Sequence, residues 1–431
     1  MICEQYIMKI VYDISVLGTG YYGNSRAGIF RVAEQIAYGL HSSQECNPFF
    51  CTAFSPESLI HSIEYLIHED NLVGIPYLSG YFEKLIYKNL KNLVKKDDAS
   101  AAHKFLTKVW RKALSHFISL QDSNYTPLYE RDLYGKDIFH SPFYALPKET
   151  KAIKGLQRFI TVYDLIPVLY PDFFKDLEAQ LEIFNSIIGS LTPDDWVLCI
   201  SRATRNDLLN HVKHLNPDRV IVTHLAASNL FYFCKDLEKI RLTKKKYLIP
   251  NERYILSLST LEPRKNISHV IRSFCQLVKE QKISDLNLVL AGSKGWQYDS
   301  IFDDIDSAGL LRDRIIVTGY VDDEDLAALY SGALAFVYPS FYEGFGLPPL
   351  EAMQCGTPVI TSNTSSLPEV VGAAGIQLDP FDREGLCQSI FELYRRPELR
   401  EEMSLKSINQ AKNFSWETFT QGTINAYKKS L

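Results

Sequence analysis

Short apolar runs recur along the chain and fall into two series. The first series contains MKIVYD (8–13), KDIFHSP, RFITVYD, WVLCIS and RVIVTHL, and the second contains RYILSLS, LNLVLAG, RIIVTGY, LAFVYPS, TPVITS and AGIQLD. Brief runs of this kind, bounded by turn residues, predict buried strands. A polar or amphipathic stretch of sequence follows each run, so we predict helices between the strands. Strands connected by helices form parallel sheets.

Most of the remaining sequence is predicted to be helical. GIFRVAEQIAYGLH (28–41) repeats apolar residues at helical spacing, and a basic stretch, Lys235–Lys246, separates the two strand series. A chain of 431 residues is long enough for two or three domains. We predict two α/β domains facing across a cleft. The expected boundaries are 1–240 with a helical insertion at about 56–120, then 241–412, and then a terminal helix at 413–431 that packs back on the first domain.

Composition narrows the class of protein. The chain is 46% hydrophobic and 23% charged, which is typical of a soluble enzyme. Its net charge of −5 gives no electrostatic case for nucleic acid as a partner. We expect no membrane-spanning run and no signal peptide in MICEQYIMKIVYD. The eight cysteines lack the spacing of a zinc site, so we interpret them as reduced thiols of a cytoplasmic protein.

Two glutamates flank a loop rich in glycine and proline. Glu343 and Glu351 stand eight positions apart in YEGFGLPPLEAMQCGTPVI, directly after the strand LAFVYPS. Ligands bind at the carboxyl ends of parallel strands, and backbone N–H groups before a helix suit a phosphate or a sugar oxygen. The two carboxylates would accept hydrogen bonds from sugar and ribose hydroxyls. The alternative is a tight turn with two solvated acids.

Two further strand ends carry charged residues. Arg264 and Lys265 lie in STLEPRKN, at a strand–helix turn where a diphosphate would need cations, although a basic pair alone is usually surface charge. Asp164 follows the strand Arg158–Tyr163 and is expected to project toward the cleft. Its alternative role is to cap a turn.

Other patterns suggest different chemistry. GTGYYG (18–23) matches the dinucleotide fingerprint of an NAD-linked oxidoreductase, but the predicted helix starts near Gly28. We therefore predict a long glycine-rich loop over 17–27. DDID (303–306) has a spacing that could bind a metal but is expected to be a solvated helix face. Four histidines show no ligand spacing, so no metal site is predicted: His140, His211, His214 and His224.

Several of these segments together resemble retaining glycosyltransferases of family GT4. They are EGFGLPPLE with AMQCGTPVI, LEPRKN, and RIIVTGYVDDEDLAALYSGA, and weaker matches include AGIFRVAEQIAYGL, VYDLIP and ISRATRNDLL. The resemblance covers nearly all of 250–425 but only short islands of 1–230. It implies the GT-B fold, in which two Rossmann-like domains face each other. The N-terminal domain would take the acceptor and the C-terminal domain the nucleotide sugar.

The resemblance also implies site roles. It implies catalytic roles for Asp164, Glu343, Arg264 and Lys265. It implies donor contacts for Gly28, Tyr320, Val321, Gly344, Phe345, Gly346, Leu347 and Glu351. The basic pair would hold the diphosphate, Glu343 the transferred sugar, and Glu351 the ribose. The nucleobase would lie near Tyr320, and Tyr163 stands where the family often has a histidine.

The implied activity is metal-independent transfer of a hexose, mannose-type or similar, from a GDP- or UDP-sugar. The acceptor would be a glycan or a lipid-linked glycan of surface polysaccharide, and no cofactor is implied beyond the donor. Alternatives on the same scaffold are an inactive nucleotide-sugar-binding protein, a phosphorylase and an epimerase. A predicted basic helical stripe suggests peripheral docking at the inner face of the cytoplasmic membrane, with a solvated helix face as the alternative: Lys84, Lys88, Lys91 and Lys95.

Overall fold

Two parallel sheets organise the chain. The computed structural model describes residues 6–23, 28–78, 109, 112, 128–174 and 178–431. The predicted basic stripe, Lys84 to Lys95, lies outside the described residues. Within the described part, each sheet has six strands and all strand pairs are parallel. The predicted α/β class is therefore confirmed.

The first sheet has the order β2-β1-β3-β4-β5-β6. Its strands are β1 Met8–Asp13, β2 Cys46–Cys51, β3 Ile138–Ser141, β4 Gln157–Val162, β5 Trp196–Cys199 and β6 Val220–Val222. Its helices are α1 Ser15–Tyr22, α2 Ile29–Ser42, α3 Pro56–His68, α4 Glu130–Leu133, α5 Ile166–Leu169, α6 Glu178–Ser190 and α7 Arg202–His211. Short 3₁₀ turns are Asp70–Leu72, Lys148–Ala152, Pro171–Phe174 and Pro217–Arg219.

The second sheet has the order β12-β11-β10-β7-β8-β9. Its strands are β7 Arg253–Leu258, β8 Leu286–Ala291, β9 Ile315–Gly319, β10 Ala335–Tyr338, β11 Val359–Ser362 and β12 Ile376–Leu378. The helices from the basic stretch onward are α8 Leu237–Lys246, α9 Ile267–Glu280, α10 Asp299–Asp306, α11 Asp323–Ser331, α12 Leu347–Gln354, α13 Leu367–Val371, α14 Arg383–Arg395, α15 Pro397–Ala411 and α16 Trp416–Ser430. Its 3₁₀ turns are Pro263–Lys265, Gly309–Arg314 and Gly372–Ala374.

The glycine-rich segment after β1 is helical, so the predicted loop over 17–27 is wrong where the structure describes it. Helix α1 spans Ser15–Tyr22 and buries its first turn. Asp13 caps this turn by accepting hydrogen bonds from the backbone N–H and the hydroxyl of Ser15. A Cβ at Gly18 would overlap the backbone of Ser62 in α3. Gly18 therefore permits two helices to pack closely, which removes the structural basis of the dinucleotide interpretation.

Strand β2 was also missed by the pattern. It contains Pro48, which faces Ile10 of β1 in the register. A proline donates no ladder hydrogen bond, so it argues against a central strand. Since β2 lies at the edge of the sheet, the missing donor is tolerated there.

The last helix lies against the first sheet. Helix α16 packs on α2, where a Cβ at Gly39 would overlap the side chain of Thr420. The hydroxyl of Tyr427 lies 2.6 Å from His140 Nδ1, and Thr161 Oγ1 lies 2.9 Å from its Nε2. Burial lowers the pKa of His140 to about 3. This histidine is therefore a neutral residue of the core.

Among the helices of the described residues, none is both long enough and apolar enough to cross a bilayer.

Candidate functional site

A buried cluster of opposite charges follows strand β7. Arg264 and Lys265 lie in the 3₁₀ turn Pro263–Lys265 and are each 9% exposed. Arg264 Nη1 donates to Glu343 Oε2 at 2.9 Å, and Lys265 Nζ donates to Glu343 Oε1 at 2.7 Å. Arg264 also donates to Glu262 Oε1 at 2.6 Å, and Lys265 to the Tyr338 hydroxyl at 2.8 Å. The fold thus brings together three residues singled out in separate parts of the sequence.

Burial and the neighbouring charges determine which side chains of this cluster are ionised. Burial alone would raise the pKa of Glu343, but Arg264 and Lys265 outweigh it and lower the pKa to about 2. Burial lowers the pKa of Lys265, and Glu343 partly offsets that effect. Glu343 is therefore a carboxylate at neutral pH, held ready to accept hydrogen bonds. Arg264 Nε has no hydrogen-bond partner among the described residues.

Two serines hold the loop that carries Glu343. Ser365 Oγ accepts from the backbone N–H of Glu343 at 2.9 Å. Ser366 Oγ donates to the carbonyl oxygens of Glu343 and Phe345, at 2.9 and 2.6 Å. Gly346 has φ 110°, a left-handed conformation that favours glycine, and helix α12 begins at the next residue. The loop is therefore set before any ligand arrives.

Gly344 lies where the two halves of the protein meet. A Cβ at this position would stand 2.6 Å from the carbonyl oxygen of Tyr163 and 3.0 Å from Asp164 Cβ. Thr204 Oγ1 lies 2.9 Å from the carbonyl oxygen of Tyr163 and 3.3 Å from that of Gly344. The sequence indicated close approach of a ligand here, and the structure shows close approach of the opposite half.

Asp164 lies between the charge cluster and a cavity. Its Oδ1 accepts from the backbone N–H of Ile166 at 3.0 Å, so it caps a turn, which was its alternative interpretation. Burial raises its pKa, and Arg264 opposes that shift. Asp164 and Arg264 both line a cavity of about 250 Å³ beneath the end of β4. A carboxyl placed in this way can cap the turn and still face a ligand.

Glu351 occupies a second cavity, of about 280 Å³. The Tyr330 hydroxyl donates to Glu351 Oε2 at 3.1 Å, and burial raises the pKa of Glu351 to about 7. Leu347 lines the same cavity, together with Arg31 and Asp323. Arg31 Nη2 donates to Asp323 Oδ2 at 2.6 Å and joins the two halves of the protein. Neither member of this pair was singled out in the sequence.

Comparison with known proteins identifies the family. The model of Glycosyl transferases group 1 matches residues 239–410. The chain is 37% identical over 297 residues to the O-antigen chain mannosyltransferase B of Escherichia coli, covering 68% of this chain and 75% of that protein. The protein belongs to the glycosyl transferases group 1 family. The resemblance found in the sequence is therefore confirmed, and the protein is a glycosyltransferase.

Two further relatives bear on length and fold. The glycosyltransferase is 31% identical over 270 residues to the serotype-specific mannosyltransferase WbdA of Escherichia coli, covering 62% of this chain but only 33% of WbdA. It superposes on Anabaena Alr3699/HepE, solved in complex with UDP, with a TM-score of 0.64. That match has 15% identity and covers 99% of this chain and 100% of the other. The GT-B fold is therefore confirmed.

The remaining donor-site predictions are placed as follows. Gly28 precedes α2 with φ 52°, and a Cβ there would meet no described residue within 4 Å, so the described part of the chain leaves its backbone open to approach. Tyr320, after β9, is 67% exposed, whereas Val321 is buried. The Phe345 ring packs 6.1 Å from His224 and 5.7 Å from Phe414. The glycosyltransferase thus uses Phe345 for packing between elements distant in sequence.

A second contact between the two halves was missed by the sequence pattern. Glu369 in α13 accepts from the backbone N–H groups of Arg202 and Ala203, at 2.9 and 3.1 Å, at the start of α7. His224 Nε2 lies 3.0 Å from the same carboxylate. A carboxylate at a helix N-terminus stabilises the helix dipole. No motif in the sequence pointed to this contact.

The acidic segment DDID does not form a ligand cage. It lies in helix α10 as predicted, with Asp304 paired to Arg272 and Asp306 to Arg312. Within the part of the chain that the structure describes, no group of three His, Cys, Asp or Glu side chains is placed to hold a metal ion.

Proposed function

We propose that this glycosyltransferase moves mannose from a nucleoside-diphosphate donor, a GDP- or UDP-sugar, to a hydroxyl of a glycan acceptor. One observation carries the proposal: Arg264 and Lys265 meet Glu343 at the cleft, where Asp164 of the other half also lies. The relative at 37% identity, named an O-antigen chain mannosyltransferase, supports mannose as the sugar and a surface polysaccharide as the product.

The donor would be held by residues of the second half. Arg264 and Lys265 would bind the diphosphate through charge-assisted hydrogen bonds. Glu343 would accept hydrogen bonds from hydroxyls of the transferred sugar, together with the backbone amides that follow it. Glu351 would bind the ribose, since its cavity opens beside α11 and α12. Tyr320 would lie near the nucleobase, and Gly28 would let the opposite half approach the diphosphate.

The chemistry follows from where charge develops. The bond between the anomeric carbon and the diphosphate breaks, and its electron pair leaves with the phosphate oxygen. The acceptor oxygen forms the new bond on the same face, and its proton passes to the departing phosphate oxygen. The two cations stabilise the negative charge that grows on the leaving group. Asp164 would accept a hydrogen bond from the reacting sugars at this point.

The acceptor is proposed to be a glycan, carried on lipid, in the cytoplasm. The naming of two relatives for O-antigen and serotype supports a surface polysaccharide. A lipid-carried acceptor would bring the protein to the inner face of the membrane. Sedimentation with anionic vesicles, at low and raised salt, checks this part of the proposal, with Glu at Lys84, Lys88, Lys91 and Lys95 as the comparison.

The decisive experiment is turnover by the purified chain. It is incubated with radiolabelled GDP-mannose and a panel of UDP-sugars, with an oligomannose acceptor, in EDTA because protein cations are proposed to act without a metal. Transfer from one mannose donor, with an α-linked product by NMR, is expected. Absence of turnover with every donor, while Mg²⁺ and Mn²⁺ also fail to restore it, would overturn the proposal.

A further inference from the structure

Exposed hydrophobic side chains are concentrated in the segment that enters the second half of the protein. Single exposed hydrophobic residues are ordinary on a soluble protein, whereas a group of them close together usually marks a surface that binds something. Three of the group belong to helix α8 and the turn that ends it: Leu237, Leu242 and Leu248. In the described chain, the whole group between residues 230 and 248 is Leu230, Tyr232, Phe233, Leu237, Leu242 and Leu248.

Leu248 is unusual in conformation as well as in exposure. Helix α8 ends in a Schellman motif, in which the Ile249 N–H donates to the carbonyl oxygen of Lys244 at 2.8 Å and the Leu248 N–H donates to that of Lys245 at 3.3 Å. The residue at this place has a left-handed backbone, here with φ 56°, and it is usually glycine. The Leu248 side chain is 83% exposed, so burial within the chain does not offset the strain. Burial against a partner would give a leucine at this place a reason.

The exposed side of α8 has opposite charges at its two ends. Asp236 and Glu238 stand at the N-terminal end, Arg241 and Lys245 follow toward the C-terminal end, and all four are exposed. The helical repeat places Glu238, Arg241 and Lys245 on one side of the helix. This side therefore carries acids first and bases afterwards, with a leucine near each end.

Such a pattern is complementary to itself. When two copies of α8 lie antiparallel about a two-fold axis near Leu242, Leu237 of one copy lies against Leu248 of the other. Glu238 of one copy then lies opposite Lys245 of the other. A two-fold interface uses the same surface of both subunits, so each of these contacts is made twice.

The charges of α8 argue against a lipid surface as the occupant. Lys246 pairs with Asp322 and Asp325 at 2.7 and 2.6 Å, and Lys244 donates to two backbone carbonyl oxygens at 2.8 Å. These two cations are therefore already engaged within the chain, and acids lie on the same exposed side. An anionic bilayer favours a face of free cations. Acids and bases in a fixed order favour a protein partner with matching charges.

We propose that the exposed face of α8 binds a second copy of this chain in an antiparallel two-fold contact. The leucines supply the apolar area, and the acids and bases set the direction of pairing. The inference goes beyond the proposed function and does not depend on it, because it concerns assembly and not transfer. The face consists of Leu237, Glu238, Arg241, Leu242, Lys245 and Leu248.

Charge reversal distinguishes a second copy from any other partner. Glu238→Lys places two bases opposite each other, and Lys245→Glu places two acids opposite each other. Analytical ultracentrifugation of the full chain over a range of concentrations should show a reversible dimer for wild type. Each single variant should raise the dissociation constant by at least about tenfold, since like charges oppose each other twice. An equimolar mixture of the two variants should form a heterodimer, and the double variant should dimerise as wild type does.

Leu248→Gly tests the strained leucine by two opposite effects. It should raise the dissociation constant of the dimer by at least about tenfold, because an apolar contact is lost twice. The unfolding temperature of a dilute, monomeric sample should not fall, because glycine suits the left-handed conformation. A leucine with only a structural role would show the reverse. Leu310→Gly is the control, because Leu310 is an exposed leucine outside this face, and its dimer should match that of wild type.

Three results would overturn the inference. One is a wild type that stays monomeric at every concentration reached. Another is a dimer that persists unchanged in both charge-reversal variants and in Leu248→Gly, which would place the contact elsewhere on the molecule. The third is a monomeric wild type that sediments with vesicles of anionic lipid and loses this binding in Leu248→Gly, which would assign the face to a membrane.

Discussion

The carbonyl oxygen of Tyr163 lies 2.6 Å from the point where a Cβ on Gly344 would stand. One residue directly follows strand β4 of the first sheet, and the other lies in the glutamate loop of the second sheet. Their contact makes the spacing between the two halves depend on a missing side chain. This spacing sets how near Asp164 comes to Glu343.

Gly344→Ala is expected to push the two halves apart. A real Cβ almost never lies within 3 Å of such an atom, and the obstacle here is backbone, which cannot move aside locally. We expect transfer to fall by at least about tenfold, or roughly 1.4 kcal/mol in the activation barrier, while nucleotide affinity changes little. Steady-state kinetics measure transfer, small-angle scattering measures the separation of the two halves, and calorimetry measures nucleotide affinity. Gly189→Ala is the control, because no other residue that the structure describes lies within 4 Å of that Cβ. Equal activity in the two variants would contradict the argument.

Lys265→Ala is expected to weaken both nucleotide binding and folding. The sequence left open that this lysine is surface charge, but it is buried against Glu343. Removing one partner of a buried pair costs about 3–5 kcal/mol, since the other charge stays buried. Urea unfolding and calorimetry with GDP and UDP measure the two effects. The double variant Lys265→Met with Glu343→Gln should recover part of the stability but not the affinity. Unchanged affinity in Lys265→Ala would remove this lysine from the diphosphate site.

Glu343→Gln is expected to separate transfer from nucleotide binding. The carboxylate pairs with Arg264 and Lys265 in the absence of a ligand, so its removal releases one ion pair of each cation for a diphosphate, while Arg264 keeps its pair with Glu262. Transfer should fall by at least about a hundredfold, or roughly 2.7 kcal/mol, while affinity for the free nucleoside diphosphate is kept or rises. Parallel losses of transfer and affinity would show that Glu343 does not act on the sugar.

Glu351 is expected to make stability and nucleotide affinity depend on pH. Burial raises its folded pKa from 4.5 to about 7, so the folded state holds the proton more tightly than the unfolded state. The free energy of unfolding should therefore fall as pH rises from about 4.5 to 7, and this contribution is constant above that range. Tyr330, Arg31 and Asp323 face the same carboxyl and act on the same pKa.

Nucleotide affinity should change in the opposite direction, because only the ionised carboxyl accepts two ribose hydroxyls. Affinity is expected to rise between pH 6 and 8 in wild type, and Glu351→Gln should lose the part due to this group. Glu324→Gln, on an exposed position of α11, is the control. Identical pH profiles for wild type and Glu351→Gln, by calorimetry and urea unfolding, would contradict the assignment.

Glu369→Ala is expected to loosen the contact between the two halves. Its carboxylate is 13% exposed and caps the start of α7 from across the cleft. We expect the free energy of unfolding to fall by about 1 kcal/mol, as for a lost helix cap, and kcat to fall as the two halves lose this contact, with nucleotide affinity unchanged. Glu401→Ala, on an exposed face of α15, is the matched control. A change in nucleotide affinity without a change in kcat would contradict this role of Glu369 in the contact between the two halves.

Much of the architecture could be predicted from local sequence patterns. Parallel strands end at one edge of a sheet, so placing Arg264, Lys265 and Glu343 after strands β7 and β10 predicted their proximity. Helix α1 was not predicted because glycines usually mark loops, whereas Gly18 here allows two helices to pack closely. Strand β2 was not predicted because Pro48 argues against a strand. A proline is compatible with a strand at the edge of a sheet, and the sequence does not show that β2 lies there.

Contacts between the halves were not predictable in the same way. Arg31 and Asp323 are 292 positions apart, and Glu369 reaches a helix start 167 positions earlier. Hydrophobic periodicity defines the faces of each helix and strand, but it carries no information on which loops of two separate sheets will meet. These pairs are ordinary charged residues in ordinary helices, so nothing in their local sequence distinguishes them from solvated ones.

The return of helix α16 to the first sheet limits how this chain can be divided in the laboratory. Tyr427 is fully buried, packs edge-on against Phe159 at 4.8 Å and completes the hydrogen bonding of His140. A fragment cut at residue 240 would lack this ring, and a void the size of a phenol would open beside a histidine with one bare nitrogen. The first Rossmann-like unit is continuous in space but not along the chain. Its final piece, α16, follows the whole second sheet along the chain, so the first unit completes its core only after the second has been synthesised.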